Sequence, residues 1–429
     1  MNLKKIIAFS LLSIAGTVGY AQNIDQLINA TETERIERVL ASDEMQGRRT
    51  FMPGIDKAGD FIASEFQKSG LQFFGGLSSY NQSFEMIRAK FISASGTMNG
   101  LEVQKENIIA VTTQAQLKLD EKSGYEIVVI DSAANLQTEA AKLIEKNIKQ
   151  LVLVDPAQAK NFKRLTRFKR DRFDTREPIL FVLTSAQPST FSFEATHEIS
   201  KMPLANIIGV LPGKSKKDEF VIFSGHYDHL GITKPNAAGD SIYNGANDDA
   251  AGTTAVIMLA NYFSKIKNNE RTLLFVAFTA EEVGGFGSQY FSKQINPDKA
   301  VAMFNIEMIG TESKWGKNSA FITGYERSDF GKILQGNLEG SVFRFEPDPY
   351  PTQNLFYRSD NATLAALGVP AHTISTSKMD VEKFYHTLDD EIETLDMQNM
   401  AEIIKAIAIS SKGIVSGKET PARVEKLNR

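Results

Sequence analysis

Several short segments of the chain place histidine or carboxylate side chains directly after apolar runs. Glu281 and Glu282 close the run 273–280, and His226 and Asp228 follow the run 220–225. Runs rich in β-branched and aromatic residues indicate buried strands, and open α/β sheets bind ligands at the carboxyl ends of their strands. One carboxylate of such a pair can hold a metal ion while the other moves protons.

Three further positions extend this group. Asp248 stands in the turn-rich segment 244–252, Glu307 follows the apolar run 301–306, and His386 follows Tyr385 late in the chain. Taken singly, each has a structural interpretation: a strand ending in solvent, a helix N-cap, or a packed histidine. Taken together, two histidines and at least three carboxylates are the donors from which carboxylate-bridged zinc pairs are built.

The order of these motifs resembles a known family. His-Tyr-Asp, Asn-Asp-Asp-Ala-Ala-Gly, Phe-Thr-Ala-Glu-Glu-Val-Gly, Asn-Ile-Glu-Met-Ile-Gly and Tyr-His-Thr follow one another as in the dinuclear zinc aminopeptidases. That family also contains glutamate carboxypeptidases and the mononuclear glutaminyl cyclases. The match covers about residues 220–386, and the segment 40–49 resembles the start of the catalytic domain in many members.

The resemblance implies two zinc ions per chain and a role for each motif. Asp248 would bridge the ions; His226 and Glu307 would complete one site, and Glu282 and His386 the other. Three residues would act beside the metal. They are Glu281 as the general base, Tyr385 polarising the scissile carbonyl, and Asp228 accepting the second ring N–H of His226. The peptide between Asp248 and Asp249 would be cis.

Two positions depart from the family pattern. Glu307 stands where many relatives carry Asp, and both carboxylates are normal zinc ligands. Because that carboxylate also helps to hold the substrate's amine in aminopeptidase relatives, the change concerns fine specificity. Asn361 stands where relatives usually show His, so we assign it no function.

The beginning of the chain predicts export. Lys4 and Lys5, a short apolar run and Ala21 before Gln22 are typical of a cleaved secretory signal peptide, and the run is too short for a membrane anchor. We therefore expect a periplasmic or secreted bacterial protein without stable membrane insertion. The chain has no cysteine, which excludes a disulfide framework.

The charge balance argues against nucleic acid as a partner. The formal net charge is −4 and becomes −6 once the two lysines of residues 1–21 are removed. The segment 160–176 interleaves basic residues with Phe162, Phe168 and Phe173, a pattern that can bind nucleic acid or an anionic membrane. With an acidic chain around it, the sequence favours a solvated loop.

The alternation of strand and helix patterns predicts an α/β fold. We expect a three-layer αβα sandwich with a mixed sheet and a smaller inserted α/β or β-rich domain that resembles the protease-associated domain. The predicted divisions are a signal peptide (1–21), the N-terminal part of the catalytic domain (22–85), the insert (86–202), the main catalytic part (203–418) and a polar tail (419–429).

These expectations converge on a secreted zinc exopeptidase, an aminopeptidase acting on peptides with a free N-terminus. A glutamate-type carboxypeptidase or a dipeptidase is the first alternative, for which Arg358 is the candidate cation. A glutaminyl cyclase is less favoured, because all five ligand positions are filled. A catalytically inactive binding protein is the alternative of another class, and the intact Glu281 argues against it.

Overall fold

The computed structural model describes residues 24–427, so the predicted signal peptide lies outside the described residues. The chain divides into two compact units. The first comprises the described residues up to Ser83 and from Leu204 onward, and the second spans Phe84–Pro203. The second unit covers the residues for which the sequence predicts a protease-associated-like insert, and that identity stays a prediction.

The regular elements are numbered along the described chain. The helices are α1 (Ala30–Leu40), α2 (Pro53–Lys68), α3 (Leu136–Glu145), α4 (Ala159–Phe162), α5 (Ala251–Ile266), α6 (Phe286–Ser292), α7 (Phe330–Asn337), α8 (Asn361–Ala366), α9 (Met397–Ser410) and α10 (Lys412–Val415). The strands are β1 (Asn81–Met98), β2 (Leu101–Glu102), β3 (Ile108–Val111), β4 (Gln116–Asp120), β5 (Glu126–Ile130), β6 (Gln150–Val154), β7 (Arg172–Phe173), β8 (Ile179–Leu183), β9 (Phe191–Leu211), β10 (Lys216–His226), β11 (Gly231–Ile232), β12 (Ile242–Tyr243), β13 (Arg271–Phe278), β14 (Ala300–Ile306), β15 (Ser319–Ile322), β16 (Arg344–Pro347) and β17 (Ala371–Ser375).

A mixed sheet forms the centre of the first unit. Its strands run in the order β16-β15-β17-β14-β10-β13-β9, and the four strands from β17 to β13 are parallel. Strand β9 pairs with β13 in the antiparallel direction, and β15 pairs with β17 likewise. This is the mixed sheet that the sequence predicts.

Helices cover both faces of this sheet, which explains why its central strands are continuously apolar. On β13, Leu273, Phe275 and Ala277 pack into one core with α1, α2, α5 and α9. The alternating residues Leu274, Val276 and Phe278 pack into a second core with α6 and α8. The first unit is therefore the expected three-layer αβα sandwich.

The register of the sheet aligns the carboxyl ends of three neighbouring strands. His226 at the end of β10 pairs with Phe278 at the end of β13, and Ser224 of β10 pairs with Asn305 of β14. Parallel strands in this register bring the residues that follow them to one edge of the sheet. Glu281, Glu282 and Glu307 consequently leave the sheet beside His226.

The second unit has a sheet and two cores of its own. Strands β5, β6 and β8 are parallel, and β3 closes the order β3-β8-β6-β5 in the antiparallel direction. Helix α3 packs on one face of this sheet through Leu136, Ala140 and Leu143. The unit is thus a small α/β body.

Two strands are longer than the sequence indicates, since β1 has 18 residues and β9 has 21. Over most of their length these strands carry many exposed polar residues, and only the end of β9, residues 206–211, is an apolar run that reveals a buried strand. In residues 24–427, helices long and apolar enough to cross a membrane are absent.

Candidate metal centre

Five of the sequence-predicted residues meet at the carboxyl edge of the sheet. His226 ends β10, Glu282 follows β13 and Glu307 follows β14. Asp248 comes from the loop before α5, and His386 comes from the loop that precedes α9. The structure brings together all five positions that the resemblance implies as metal ligands.

The first group of donors contains His226, Asp248 and Glu307. Nε2 of His226 lies 3.2 Å from Oδ1 of Asp248 and 3.7 Å from Oε1 of Glu307. Both His226 and Asp248 are buried. Their spacing brings three potential ligand atoms around one point.

The second group lies on the other side of Asp248. Nε2 of His386 lies 3.2 Å from Oδ2 of Asp248 and 3.1 Å from Oε2 of Glu282. Asp248 therefore offers one oxygen to each group. This is the position from which a carboxylate can bridge two cations.

The residues fit zinc by their chemistry and their unsatisfied atoms. Within the described chain, Nε2 of His226, Nε2 of His386 and Oδ2 of Asp248 are buried and lack a hydrogen-bond partner. Such atoms are costly unless something binds them. Zinc ligands at 2.0–2.2 Å in a tetrahedral arrangement stand roughly 3.4 Å apart, so the observed separations suit a shared ion.

The electrostatics of the cluster indicate a need for positive charge. Burial would lower the pKa of His226, but the neighbouring Asp248 and Glu307 raise it well above 6.5. Asp248 and Glu282 likewise raise the pKa of His386 to about 10. Burial would raise the pKa of Asp248, but His226 and His386 hold it well below its usual range. A divalent cation would supply this charge and displace the imidazole protons.

Glu281 and Tyr385 lie on a cavity that reaches the donor groups. Both line it together with Asp248, Glu282 and Glu307. Burial raises the pKa of Glu281 well above 4.5, and Glu307 and Asp360 reinforce the shift while His226 opposes it. Burial also raises the pKa of Tyr385. Both side chains thus line the same cavity as the donor carboxylates, and their roles stay predictions.

Asp228 is in the site, but it uses different groups from those expected. Nδ1 of His226 contacts the backbone oxygen of Asp228 at 3.1 Å, whereas the Asp228 carboxylate is 3.9 Å away. That carboxylate instead accepts the backbone N–H of Glu281 at 3.0 Å and of Glu282 at 3.3 Å. Asp228 therefore fixes His226 through its main chain and the two glutamates through its side chain.

His229 is a site residue to which the sequence interpretation gives no role. Its Nδ1 lies 2.9 Å from Oε1 of Glu282 and 3.9 Å from Oδ2 of Asp248. The imidazole is fully buried. It can orient Glu282 by donating this N–H, or it can itself serve as a third donor beside Asp248 and Glu282. The sequence could have indicated this role, because His229 lies only three residues after the predicted ligand His226.

The loop that carries Asp248 is held by a carboxylate that the sequence does not single out. Asp390 accepts the backbone N–H groups of Asn247 at 2.9 Å and of Asp248 at 3.0 Å. The Asp248–Asp249 peptide is cis, as the resemblance implies. Asp249 accepts the N–H of Gly252 in the first turn of α5 at 3.0 Å, whereas Ala250 occupies the N-cap position, so neither carboxylate of this loop is the N-cap.

Arg48 joins three parts of the first unit beneath the site. The side chain is fully buried, and its guanidinium donates to the backbone oxygens of Tyr227, Leu40, Asn244 and Gly245 at 2.6–2.9 Å. Burial lowers the pKa of Arg48, and nearby carboxylates oppose the shift. The segment that resembles the start of the catalytic domain thereby supports the loops around His226 and Asp248.

The second departure from the family pattern is structural. Asn361 is buried and donates to the backbone oxygens of Phe356 and Ala371. Its Oδ1 accepts from the Thr373 hydroxyl. These contacts tie α8 to β17, in agreement with the absence of an assigned function.

Comparisons with known proteins agree with this site. The model of "Peptidase family M28" matches residues 206–410. Aminopeptidase YwaD of Bacillus subtilis is 23% identical over 347 residues, which are 76% of this chain and 68% of that protein. A probable leucine aminopeptidase of Trichophyton verrucosum is 28% identical over 209 residues, 47% of this chain and 54% of that protein.

Solved structures share the fold. An aminopeptidase from Aneurinibacillus sp. strain AM-1 superposes with a TM-score of 0.54 at 16% identity, covering 94% of this chain and 97% of that one. A glutaminyl cyclase of Porphyromonas gingivalis gives a TM-score of 0.50 at 11% identity, covering 91% and 99%. Identities this low show the fold alone. The segment 206–410, which contains all five donors, matches peptidase family M28.

Proposed function

We propose that this protein is a zinc-dependent aminopeptidase that removes the first residue from peptides with a free N-terminus. The observation that carries the proposal is the convergence of His226, Asp248, Glu282, Glu307 and His386 on two points that share Asp248. Glu281 lines the same cavity. The relatives described above, which are aminopeptidases, support the same activity.

Two zinc ions would be held by these residues, with Asp248 between them. When bound, zinc acts as a Lewis acid toward a carbonyl and lowers the pKa of a bound water. His229 would keep the Glu282 carboxylate in place through its 2.9 Å contact. A residue such as His229, which does not need to bind the metal itself, thereby orients a metal ligand before the substrate binds.

The proton transfers belong to Glu281. Its carboxylate takes a proton from the attacking water and later gives it to the leaving amine. The Asp228 carboxylate accepts a hydrogen bond from the backbone N–H of Glu281, which fixes the position of the Glu281 main chain. The Tyr385 hydroxyl, on the same cavity, would donate to the carbonyl oxygen as charge develops there.

The cavity suits an N-terminal ammonium group. Four of its lining residues are carboxylates: Asp248, Glu281, Glu282 and Glu307. Apolar side chains, among them Met308, Phe321, Leu355 and Met379, line it as well. The N-terminal residue of a peptide offers a charged amine, which the carboxylates can bind, next to a side chain, which the apolar residues can contact.

A substrate panel tests this function. The purified protein, with its zinc content measured, is assayed on amino-acid anilides, on their N-acetylated forms and on peptides ending in glutamate. We expect cleavage of the free anilides and at least a 100-fold lower catalytic efficiency on the acetylated ones. Equal cleavage of free and acetylated substrates would contradict an aminopeptidase, and no cleavage at full zinc occupancy would favour an inactive binding protein.

One residue supports a carboxypeptidase or dipeptidase as the second candidate. Arg358 lines the cavity, and its guanidinium makes only a 3.5 Å contact with Gln353 within the described chain. An arginine there can bind a substrate carboxylate. If this function is the right one, Arg358→Gln raises KM for peptides ending in glutamate and leaves the anilides unchanged.

Export is part of the proposal. Lys4, Lys5 and Ala21 support a cleaved signal peptide. We expect material from the native host to begin at Gln22, which intact-mass analysis measures. A mature protein that retains residues 1–21 would contradict it.

A further inference from the structure

The second unit carries a strongly basic segment that the proposed peptidase function does not use. Residues 160–176 contain eight Lys or Arg and two Asp, giving a formal charge of +6 in a chain whose net charge is −4. Charge concentrated in this way creates a local field that the average composition hides. The surface of this segment is therefore a candidate for binding an anionic partner.

The structure separates the aromatic residues of this segment from its charges. Phe162, Leu165 and Phe173 are buried in or beside the core of the unit. The cations Lys163, Arg164, Arg167 and Arg170 are exposed. The alternation seen in the sequence is thus a core side and a solvent side of one element.

The local conformation lines up the exposed cations. Residues Lys163–Phe168 form a 3₁₀ helix, in which side chains three positions apart lie above one another. Arg164 and Arg167 consequently share one side, and Arg170 follows two residues after the end of the helix. Phe168 contributes a partly covered ring, because the Arg167 guanidinium lies 5.0 Å from its centre.

The charges of the four exposed cations are not neutralised by the protein. In the described part of the chain, Lys163, Arg164, Arg167 and Arg170 form no salt bridge within 4.0 Å. Asp171, the nearest acidic residue in the sequence, is already bound to Arg88 by two hydrogen bonds at 2.7–2.8 Å. These four cations therefore face solvent and can bind an anionic partner.

Exposed apolar side chains adjoin the basic segment. Phe91 and Ile92 on β1 are 41% and 60% exposed. Nζ of Lys169 lies 4.3 Å from the centre of the Phe91 ring, which places the end of the basic segment against Phe91, and Ile92 is the next residue of the same strand. We call Lys163–Arg170 together with Phe91 and Ile92 the basic face.

We propose that the basic face binds an anionic phospholipid surface. Basic side chains are attracted to anionic headgroups, and neighbouring apolar side chains enter the boundary between headgroups and acyl chains. The exposed Ile92 suits a lipid and offers nothing to a nucleic-acid base. The buried rings of Phe162 and Phe173 cannot act as stacking platforms, which makes nucleic acid the less favoured partner.

Vesicle binding of the full mature protein tests the proposal. Sedimentation is measured with vesicles of phosphatidylcholine alone and of phosphatidylcholine with phosphatidylglycerol, at low and high salt. We expect binding to the anionic vesicles only, weakening as salt rises. Each cation near such a surface contributes about fivefold to partitioning, so Arg164→Glu/Arg167→Glu/Arg170→Glu should lower it by about 100-fold or more.

A matched variant separates the basic face from net charge. Lys234→Glu/Lys265→Glu/Lys332→Glu makes the same change in charge at exposed positions of the first unit. It should bind vesicles within a fewfold of the wild type. Phe91→Ser/Ile92→Ser should weaken binding to the anionic vesicles at both low and high salt, because it removes apolar contacts that salt does not screen.

Three results would overturn the proposal. These are equal binding to neutral and anionic vesicles, equal loss in the two charge-reversal variants, and tighter binding to duplex or single-stranded DNA than to the vesicles at the same salt. The last would reassign the basic face to nucleic acid. Circular dichroism and anilide hydrolysis of each variant confirm that it is folded.

Discussion

At the scale of single residues, the two adjacent glutamates have different surroundings. Glu282 contacts both His229 and His386, whereas Glu281 faces the cavity without a histidine contact within 4.0 Å in the described chain. Their backbone N–H groups are held by the same carboxylate, that of Asp228. This difference supports the proposed roles, a metal ligand at Glu282 and a general base at Glu281.

Exchanging each glutamate for its amide separates these roles. Glu281→Gln should keep the metal and lower turnover by at least ~100-fold, the usual effect of losing a general base. Glu282→Gln should lose or weaken one metal ion, since an amide is a poor zinc ligand. Elemental analysis and kcat on the same preparations measure both effects, and near-normal turnover in Glu281→Gln would assign the proton transfer to another group.

Glu307 tests the departure from the family pattern. Its Oε1 lies 3.7 Å from Nε2 of His226, and its side chain is 21% exposed to the cavity. Glu307→Ala should lose metal from the group shared with His226. Glu307→Asp should retain metal, because either carboxylate binds zinc at ~2.0–2.2 Å, yet it should change the ratio of efficiencies on free and N-acetylated substrates. Full occupancy of both sites in Glu307→Ala would remove Glu307 from the ligand set.

At the scale of elements, loops are fixed by buried polar groups rather than by regular structure. Asp390 holds the Asp248 loop, and Arg48 joins α1 to the loops that carry Tyr227 and Asn244. Neither role could be predicted from the sequence. The partners are backbone atoms up to 197 residues away, and they leave no residue pattern.

Arg48→Lys tests the support beneath the site. A lysine cannot direct donors to four separate carbonyl oxygens, so buried acceptors would be left unpaired. We expect a loss of about 3 kcal/mol in the free energy of unfolding and weaker metal binding. The neighbouring Arg49 is exposed, and Arg49→Lys should stay within ~0.5 kcal/mol. Equal effects of the two changes would contradict the supporting role.

A buried acid between α1 and α5 predicts a dependence of stability on pH. Burial raises the pKa of Glu37 from 4.5 to about 8, although Thr254 donates to it at 2.7 Å. Because the unfolded chain releases this proton first, stability should fall by about 1.4 kcal/mol per unit as pH rises from 5 to 8.

Glu37→Gln isolates this contribution. The variant keeps an acceptor for Thr254 and has no proton to lose, so its stability relative to wild type should rise from pH 5 to pH 8 and level off above. Urea unfolding at several pH values measures the difference. Glu34→Gln, nearer the surface of the same helix, is the control, and parallel curves for both variants would refute the assignment.

At the scale of the whole molecule, the sandwich could be predicted because its central strands bury both faces. Residues 220–225, 273–280 and 301–306 are apolar runs of strand length, and turn residues and helical patterns separate them. The full lengths of β1 and β9 could not be predicted, because most of their exposed residues belong to no apolar run. The motif order predicted which side chains meet, but the contacts of His229 depend on loop conformations that only the structure supplies.

Removing the metal should destabilise the first unit. The unpaired donors at the sheet edge come together only in the folded chain, so a cation that binds them favours the folded state by mass action. At a free zinc concentration 100 times Kd this amounts to about 2.7 kcal/mol, or roughly 5–10 °C in Tm. Calorimetry with a chelator and with restored zinc measures the shift. An unchanged Tm in protein shown to lose its zinc would contradict the stabilising role.

The spacing of the donors along the chain has a consequence for synthesis. They occur at positions 226, 248, 282, 307 and 386, so the centre cannot exist until the chain has been made through His386. A nascent chain, or one cut short before that residue, carries His226 and Glu281 without the complete cluster. With the proposed ligand set, activity therefore requires a chain that has been synthesised through His386.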